Sequence, residues 1–291
     1  MVAEVDYKAL KKGGFMQQVQ KDHFALRLRI AGGQIQADQL QKVTELARTY
    51  GQGYIHMTSR QGIEIPFIRL EDVEAVLNEL KEVGLEPGAC GPRVRTITAC
   101  QGAAICPSGL IDTTRLAGEL DKRYFARELP HKFKLGVTGC GNNCLKAEEN
   151  DLGIKGGVRP SWQQDQCIYC GLCQAVCPVK AIEVHRQEET LSLDSQLCTY
   201  CGKCVKACPT SAWEGERGFL LSFGGLFGNR IAIGKGILPL VITEAHLYQV
   251  IDKTLEFFQN HGKPSERFRN TLDRVGWETF AKELEGLDLE R

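Results

Sequence analysis

Hydrophobic and polar residues follow two different periods near the amino terminus. From Phe24 to Ile30 every second residue is apolar, which predicts a strand with one buried face. The apolar residues then recur at helical spacing, with Asp38 as the expected cap of the helix and Gly51 at its end. The elements predicted next are strands at 54–58 and 63–67 and a helix from about Glu71 to Gly84. The order β-α-β-β-α is typical of the ferredoxin-like split, an α+β unit.

The remaining pattern predicts more widely spaced elements. Lys132 and Lys134 flank the apolar Phe133, so a strand there places both lysines on one face. The same alternation is also what an ordinary exposed strand shows. The elements predicted from Gly84 onward are a helix at 113–120, strands at 133–137, 218–225 and 230–234, a helix from Thr243 and a final helix at about 271–285.

The length and the net charge leave the class of protein open, but they bear on its partners and its location. The chain has 291 residues, 43% of them hydrophobic, which suffices for one large and one small domain. With 36 basic and 36 acidic residues its net charge is zero, so the balance gives no sign of a nucleic-acid partner. No apolar run approaches the roughly 20 residues of a membrane span, and residues 1–6 lack a signal-peptide pattern. We expect a cytoplasmic protein.

The spacing of the cysteines indicates which class of protein this is. Two pairs, C-x5-C and C-x3-C, lie in short glycine-bearing loops, and four such thiolates suit a [4Fe–4S] cluster. Glycines there let the backbone approach sulfur and turn N–H groups toward a negative cluster. A structural zinc site is the alternative, although zinc sites usually have tighter knuckles. Disulfides are disfavoured because the other cysteines indicate a reducing compartment. These four cysteines, here called quartet 1, are Cys100, Cys106, Cys140 and Cys144.

A second cysteine pattern occurs twice. The run C-x2-C-x2-C-x3-C-P begins at Cys167 and again at Cys198, and it is the run of bacterial two-cluster ferredoxins. In that pattern the fourth cysteine of each run binds the other cluster. Of the 13 cysteines only Cys90 is then left over, as a buried or partly exposed spare thiol. The expected ligand sets are quartet 2, with Cys167, Cys170, Cys173 and Cys208, and quartet 3, with Cys177, Cys198, Cys201 and Cys204.

Together these segments resemble the sirohaem-dependent sulfite and nitrite reductases. The segments that carry the resemblance are Thr58-Ser-Arg-Gln, Val94-Arg95, the quartet 1 loops, Leu129-Pro-His-Lys-Phe-Lys134 and Asp151-Leu-Gly. They match one half of the family's duplicated catalytic unit, from about Phe15 to Leu284. The ferredoxin insert resembles that of dissimilatory-type and anaerobic sulfite reductase subunits, especially the small single-half catalytic subunit of the anaerobic enzyme.

The resemblance implies a role for each matched residue. Cys144 would bridge the cluster to the sirohaem iron, and Arg93, Asn142 and Asn143 would contact the tetrapyrrole. The implied cofactors are sirohaem and three [4Fe–4S] clusters. The expected substrate-binding residues, here called the cage residues, are Arg60, Arg95, Lys132 and Lys134. Taken without the resemblance, Arg60 reads as an ordinary turn arginine.

The resemblance also implies a domain plan and partners. A ferredoxin-like half domain is expected at 1–86, a sirohaem and cluster domain at 87–160 and 213–291, and an inserted two-cluster ferredoxin at 161–212. Because the chain matches only one half of a duplicated unit, we expect a homodimer or a complex with a homologous subunit. An electron-donor protein is the other expected partner.

Three functions remain open on the sequence. The first is six-electron reduction of sulfite to sulfide, with electrons entering through the insert. The second is reduction of nitrite to ammonia at the same site. The third is a non-catalytic iron–sulfur electron-transfer protein that keeps the half-unit fold.

Overall fold

A computed structural model describes residues 5–287. The first four and last four residues, which the predicted ranges 1–86 and 213–291 include, lie outside the described part. The helices are α1 Tyr7–Lys12, α2 Ala37–Thr49, α3 Val73–Glu82, α4 Thr113–Tyr124, α5 Leu172–Val176, α6 Lys203–Ala207, α7 Glu244–His261, α8 Phe268–Val275 and α9 Trp277–Glu285. The strands are β1 Phe15–Gln17, β2 His23–Arg27, β3 His56–Met57, β4 Ile63–Arg69, β5 Thr98–Ala99, β6 Leu135–Thr138, β7 Leu152–Trp162, β8 Ile182–His185, β9 Thr190–Leu193, β10 Trp213–Phe223, β11 Leu226–Phe227 and β12 Ile231–Ala232.

The first sheet is antiparallel, in the order β1-β2-β4-β3. The alternation predicted from Phe24 is confirmed, because Phe24 and Leu26 are fully buried and Leu28 nearly so. These side chains share one core with the apolar faces of α2 and α3. Helix α2 begins at Ala37, so Asp38 lies in its first turn and does not cap it.

The second sheet has the order β10-β7-β6-β5 and mixes strand directions. Strand β6 is parallel to both of its neighbours, whereas β7 and β10 form an antiparallel ribbon over their full length. Helices α4, α7, α8 and α9 contribute to the core of this sheet. Phe133 lies at its centre, with ring centroids 5.2 Å from Phe268 and 5.9 Å from Phe258. The two sheets with their helices confirm the α+β class.

Residues 163–212 leave the second sheet at the free end of this ribbon and return to it. They form helices α5 and α6 and the hairpin β8–β9. A small core of their own includes Ile182 together with Trp213 at the start of β10. None of the helices in residues 5–287 is long and apolar enough to cross a membrane.

Several predicted boundaries are wrong. The final helix is two helices, because Gly276 adopts φ 111° between α8 and α9 and ends the first of them. The strand predicted at 54–58 is confined to β3, and the one predicted at 133–137 begins at Leu135. Strand β10 begins five residues before the predicted strand at 218–225, and α4 continues to Tyr124.

Candidate active site

All four cage residues line a single cavity. It has a volume of about 270 Å³ and lies between the turn after β3 and the segments that precede β5 and β6. A fifth cation, Arg27 at the end of β2, lines it as well, and no carboxylate is among its described lining residues. A cavity of this charge suits an anion or a polycarboxylate. The polar lining side chains are those of Arg27, Thr58, Ser59, Arg60, Arg95, Thr96, Lys132 and Lys134.

Arg60 is held by groups from distant parts of the chain. Its Nη1 donates to Asn150 Oδ1 at 2.9 Å, and its Nη2 donates to the carbonyl oxygen of Thr96 at 3.2 Å. Burial lowers the pKa of Arg60 to about 10, against the opposing attraction of Asp151. The guanidinium therefore stays charged at neutral pH, and its position is fixed before any ligand binds.

Arg95 is fixed by backbone carbonyls. Its Nη1 donates to Ala89 at 2.6 Å and its Nη2 to Gly91 at 3.1 Å. Both partners are neutral, so these bonds orient the guanidinium without cancelling its charge. That charge remains directed to the cavity it lines.

The two lysines flank a buried phenylalanine, as the alternation predicts. Phe133 is fully buried, and both lysines line the cavity. Burial, and next the charge of Arg60, lowers the pKa of Lys134 to about 8. The pKa of Lys132 is also lowered, by burial and then by Arg267 and Arg95. Lys134 thus has a pKa that allows it to give up a proton near neutral pH.

An ion pair that the sequence does not reveal supports Lys134. Asp151 is fully buried, and its two carboxylate oxygens each lie 3.0 Å from Nη2 of Arg267. Asp151 Oδ2 also accepts the backbone N–H of Lys134 at 2.9 Å. Burial raises the pKa of Asp151, and Arg267 opposes that rise. The available signal was Asp151 immediately before the apolar strand β7, but its partner lies 116 residues away.

The quartet 1 loops lie side by side at the ends of β5 and β6. Cys100 Sγ accepts the backbone N–H of Gly139 at 3.1 Å, and the N–H of Leu110 donates to Gly139 O at 2.8 Å. Gly102 has φ 62°, and a Cβ there would collide with Thr113. An N–H aimed at sulfur and glycines at close approaches are the features a cluster needs. Cys144 is exposed, whereas the other three are partly buried.

Gln61 connects the turn that carries Arg60 to the first quartet 1 loop. Its Nε2 donates to the carbonyl of Ala99 at 2.7 Å, and its Oε1 accepts the N–H of Ala99 at 2.9 Å. Ala99 directly precedes Cys100. Gln61 belongs to the Thr58-Ser-Arg-Gln segment, but sequence reasoning gave it no role.

Three predicted tetrapyrrole contacts do not line the cavity. Arg93 instead donates to Glu128 at 3.1 Å. Asn143, at φ 52°, donates to Glu148, and its Oδ1 accepts the N–H of Ala147 at 2.9 Å. Asn142 is exposed in the loop of Cys140 and Cys144.

Quartets 2 and 3 each line one cavity of their own. Both cavities are small, with a volume of about 20 Å³ each. In both, the fourth cysteine comes from the other run, as the ferredoxin pattern predicts. All 13 cysteines are free thiols. Within residues 5–287, no three His, Cys, Asp or Glu side chains converge as ligands of a single metal ion.

Two family models cover most of the chain. The model described as "Nitrite and sulphite reductase 4Fe-4S domain" matches residues 90–291. The model described as "Nitrite/Sulfite reductase ferredoxin-like half domain" matches residues 16–83.

Named relatives agree with these models. The coenzyme F420-dependent sulfite reductase of Methanocaldococcus jannaschii is 36% identical over 278 residues, which are 94% of this chain and 44% of that protein. One anaerobic sulfite reductase subunit from Salmonella typhimurium is 34% identical over 191 residues, 60% of this chain and 56% of that protein. The chain thus spans about half the length of these two relatives.

A solved structure supports the fold. Dissimilatory sulfite reductase I superposes with a TM-score of 0.72 at 22% identity, over 90% of this chain and 69% of that one. At this identity the likeness concerns the fold alone.

Proposed function

Because this chain belongs to the nitrite and sulphite reductase family, we propose that it reduces sulfite to sulfide at a sirohaem coupled to a [4Fe–4S] cluster. The observation that carries the proposal is the single cavity shared by the cage residues. Gln61 ties the turn of Arg60 in that cavity to the loop of Cys100. These hydrogen bonds support an anion site and a cluster site that lie next to each other.

The donor set fits sirohaem by charge. The macrocycle carries eight carboxylates, which require cations and N–H donors. The cavity offers five cations without a lining carboxylate, of which Arg27 is already paired with Glu64. We assign Cys144 to the iron and Arg93, Asn142 and Asn143 to the rim of the macrocycle. When bound, sirohaem supplies the iron that takes up sulfite and the electrons received from its cluster.

The chain's own residues hold the anion and move protons. The guanidinium groups of Arg60 and Arg95 bind the oxygens of sulfite. Lys134 carries a proton on Nζ, and its pKa of about 8 lets it pass that proton to an oxygen that leaves as water. Asp151 accepts the backbone N–H of Lys134 and so fixes the main chain from which this side chain enters the cavity.

We further propose that residues 161–212 form an inserted two-cluster ferredoxin domain. The two cysteine-lined cavities support this, since their linings are those expected of quartets 2 and 3. Quartet 1 would hold the third cluster. Electrons would enter through this insert, which interrupts the sirohaem and cluster domain formed by 87–160 and 213–291. The half domain at 1–86 would precede that domain.

The site is proposed to be completed by a second subunit. Cys144 is exposed at the edge of quartet 1, and Ile105, in the other loop, is 70% exposed. A homodimer is the simplest assembly, and a homologous subunit is the alternative. An isolated monomer that binds sirohaem and turns over sulfite would contradict this assembly. The twelve cysteines assigned to clusters support a reducing, cytoplasmic location.

Cofactor extraction after anaerobic purification tests the function. We expect an isobacteriochlorin with red absorption, together with the iron of three clusters. Cluster iron without tetrapyrrole would contradict the reductase and favour the electron-transfer protein.

Nitrite is the second candidate substrate, because the matching family models name both reactions. Both substrates are small oxyanions that the same cations can bind. Turnover of sulfite and nitrite, measured with one electron donor, decides between them. A higher kcat/KM for nitrite would reassign the enzyme.

A further inference from the structure

The β7–β10 ribbon connects the loops of quartet 1 to the insert. Strand β6 is parallel to β7 up to the pair Thr138–Lys155, and the chain then enters the loop of Gly139 and Cys140. A Cβ at Gly156 would collide with the carbonyl oxygen of Gly139. The missing side chain at Gly156 therefore lets the quartet 1 loop lie directly against β7.

A loop of quartet 3 occupies the same edge of β7 just beyond this point. The N–H of Val158 donates to Tyr200 O at 2.8 Å, and Val158 forms a parallel bridge with Cys201. The other edge of Val158 is paired with Arg217 of β10. The loops of Cys140 and Cys201 thus contact β7 at Gly156 and at Val158, two positions about 7 Å apart along the strand.

Quartet 2 lies farther along the ribbon. Its cavity is lined by Trp213, which pairs with Trp162 at the far end of β7. Its cavity is also lined by Ile168 and Leu172, which are 64% and 46% exposed. By contrast, Pro160 of β7 lines the cavity of quartet 3. The order along the ribbon is quartet 1, quartet 3, quartet 2.

From this order we infer that the cluster of quartet 3 exchanges electrons directly with the cluster of quartet 1. The cluster of quartet 2 receives electrons from the external donor. The inference rests on the proposed function for its three clusters. Each transfer moves one electron, so the donating site is oxidised and the accepting site reduced, with no bond or proton changed. The external electron comes from a low-potential one-electron donor, for which reduced viologen serves in the test. Gly156 and Val158 are positioning residues, because they hold the loops of Cys140 and Cys201 against β7 and are not themselves cluster ligands.

Two matched cysteine variants of the full chain test the order. Cys201→Ala and Cys170→Ala remove the second cysteine of each run, and each should lose about four iron atoms per chain. In the viologen-reduced wild type, we expect spin–spin broadening of the EPR signal of the quartet 1 cluster. That broadening should be lost in Cys201→Ala and kept in Cys170→Ala. The reverse result, or broadening unchanged in both, overturns the order.

A second pair keeps the test decisive if a cysteine variant does not fold. Val158 is 6% exposed and packs against Gly202 of the quartet 3 loop, whereas Val184 lines the cavity of quartet 2. Val158→Ala should alter the broadening and Val184→Ala should not. An unchanged signal in Val158→Ala contradicts the inference. The readout is the cluster signal and not turnover, so a chain with three coupled clusters but no sulfite reduction would contradict the proposed function alone.

Discussion

Lys134 carries its charge in a cavity where both burial and Arg60 oppose protonation. The pKa falls from an ordinary 10.5 to about 8. Between these two values the unfolded chain binds more protons than the folded one, so stability should rise with pH from about 8 and level off above 10.5. Below pH 8 the buried charge costs stability in full.

Lys134→Met should therefore stabilise the free protein at neutral pH and make this rise smaller, although Lys132, whose pKa is also lowered, still contributes to it. The measurement is the thermal midpoint of anaerobic protein at several pH values between neutrality and pH 10.5. Lys8→Met, an exposed lysine in α1, serves as the control and should leave the pH dependence unchanged. A Lys134→Met protein that is less stable than wild type at neutral pH would contradict the cost assigned to this charge.

The same titration should appear in substrate binding. With nitrite, which stays an anion throughout, the wild-type KM should rise as pH passes about 8, because Lys134 loses its charge. Lys134→Arg keeps a charge that does not titrate in this range. It should flatten the KM profile and lower kcat at every pH, since a guanidinium is a poor proton donor. An unchanged kcat would remove Lys134 from proton delivery.

The hydrogen bonds of Gln61 predict that changes in the cationic cavity affect the cluster assigned to quartet 1. Gln61→Leu removes both hydrogen bonds to Ala99 and should lower the free energy of unfolding by about 1–3 kcal/mol. It should also shift the reduction potential of the cluster held by Cys100, measured by EPR titration. Gln61→Glu keeps the acceptor for the N–H of Ala99 but adds a negative charge near the cluster, so it should lower the reduction potential more than Gln61→Leu does. Thr44→Ala, which loses an exposed helix hydroxyl bond, should change neither the stability nor the potential appreciably.

The roles of residues were predictable where a short stretch of sequence contains the whole pattern. The spacing Lys-Phe-Lys placed Lys132 and Lys134 on one cavity, and the cysteine runs predicted the linings of two others. The partners of these residues were not predictable. Asn150 lies 90 residues from Arg60, and Arg267 lies 116 residues from Asp151, so no local pattern connects them.

At the scale of elements, glycine decides where helices stop. Gly276 separates α8 and α9. Its backbone has φ 111° and ψ 132°, a conformation that residues with a Cβ rarely adopt. Apolar periodicity alone runs across this break, which is why a single helix at 271–285 was predicted. The ribbon was missed in part for a related reason, since the glycines and Pro160 of β7 obscure its strand pattern.

Gly276→Ala should lower the free energy of unfolding by about 1–3 kcal/mol through backbone strain. Gly118→Ala is the matched control, because Gly118 lies inside α4 with no atom within 4 Å of the position that a Cβ would take. It should raise stability by about 0.5–1 kcal/mol. Chemical denaturation of both variants measures the difference. Equal effects of the two substitutions would show that the break does not depend on glycine.

At the scale of the molecule, the cationic cavity and the cysteine-rich insert lie at the two ends of one β ribbon. The cage residues lie beside the buried end of β7, where Asp151 precedes Leu152, and the insert leaves from the end at Trp162. The ribbon therefore fixes both distance and order between them. Length, composition and net charge predicted none of this arrangement.

The central claim is that the cationic cavity and quartet 1 form one site for oxyanion reduction at a macrocycle. An anaerobic sulfite titration, followed in the red absorption of the macrocycle, tests it most directly. We expect a coloured protein whose band shifts saturably with sulfite, and Lys132→Met and Lys134→Met proteins that keep the colour but need more sulfite. A colourless protein, or a band that responds equally in all three proteins, would contradict the claim.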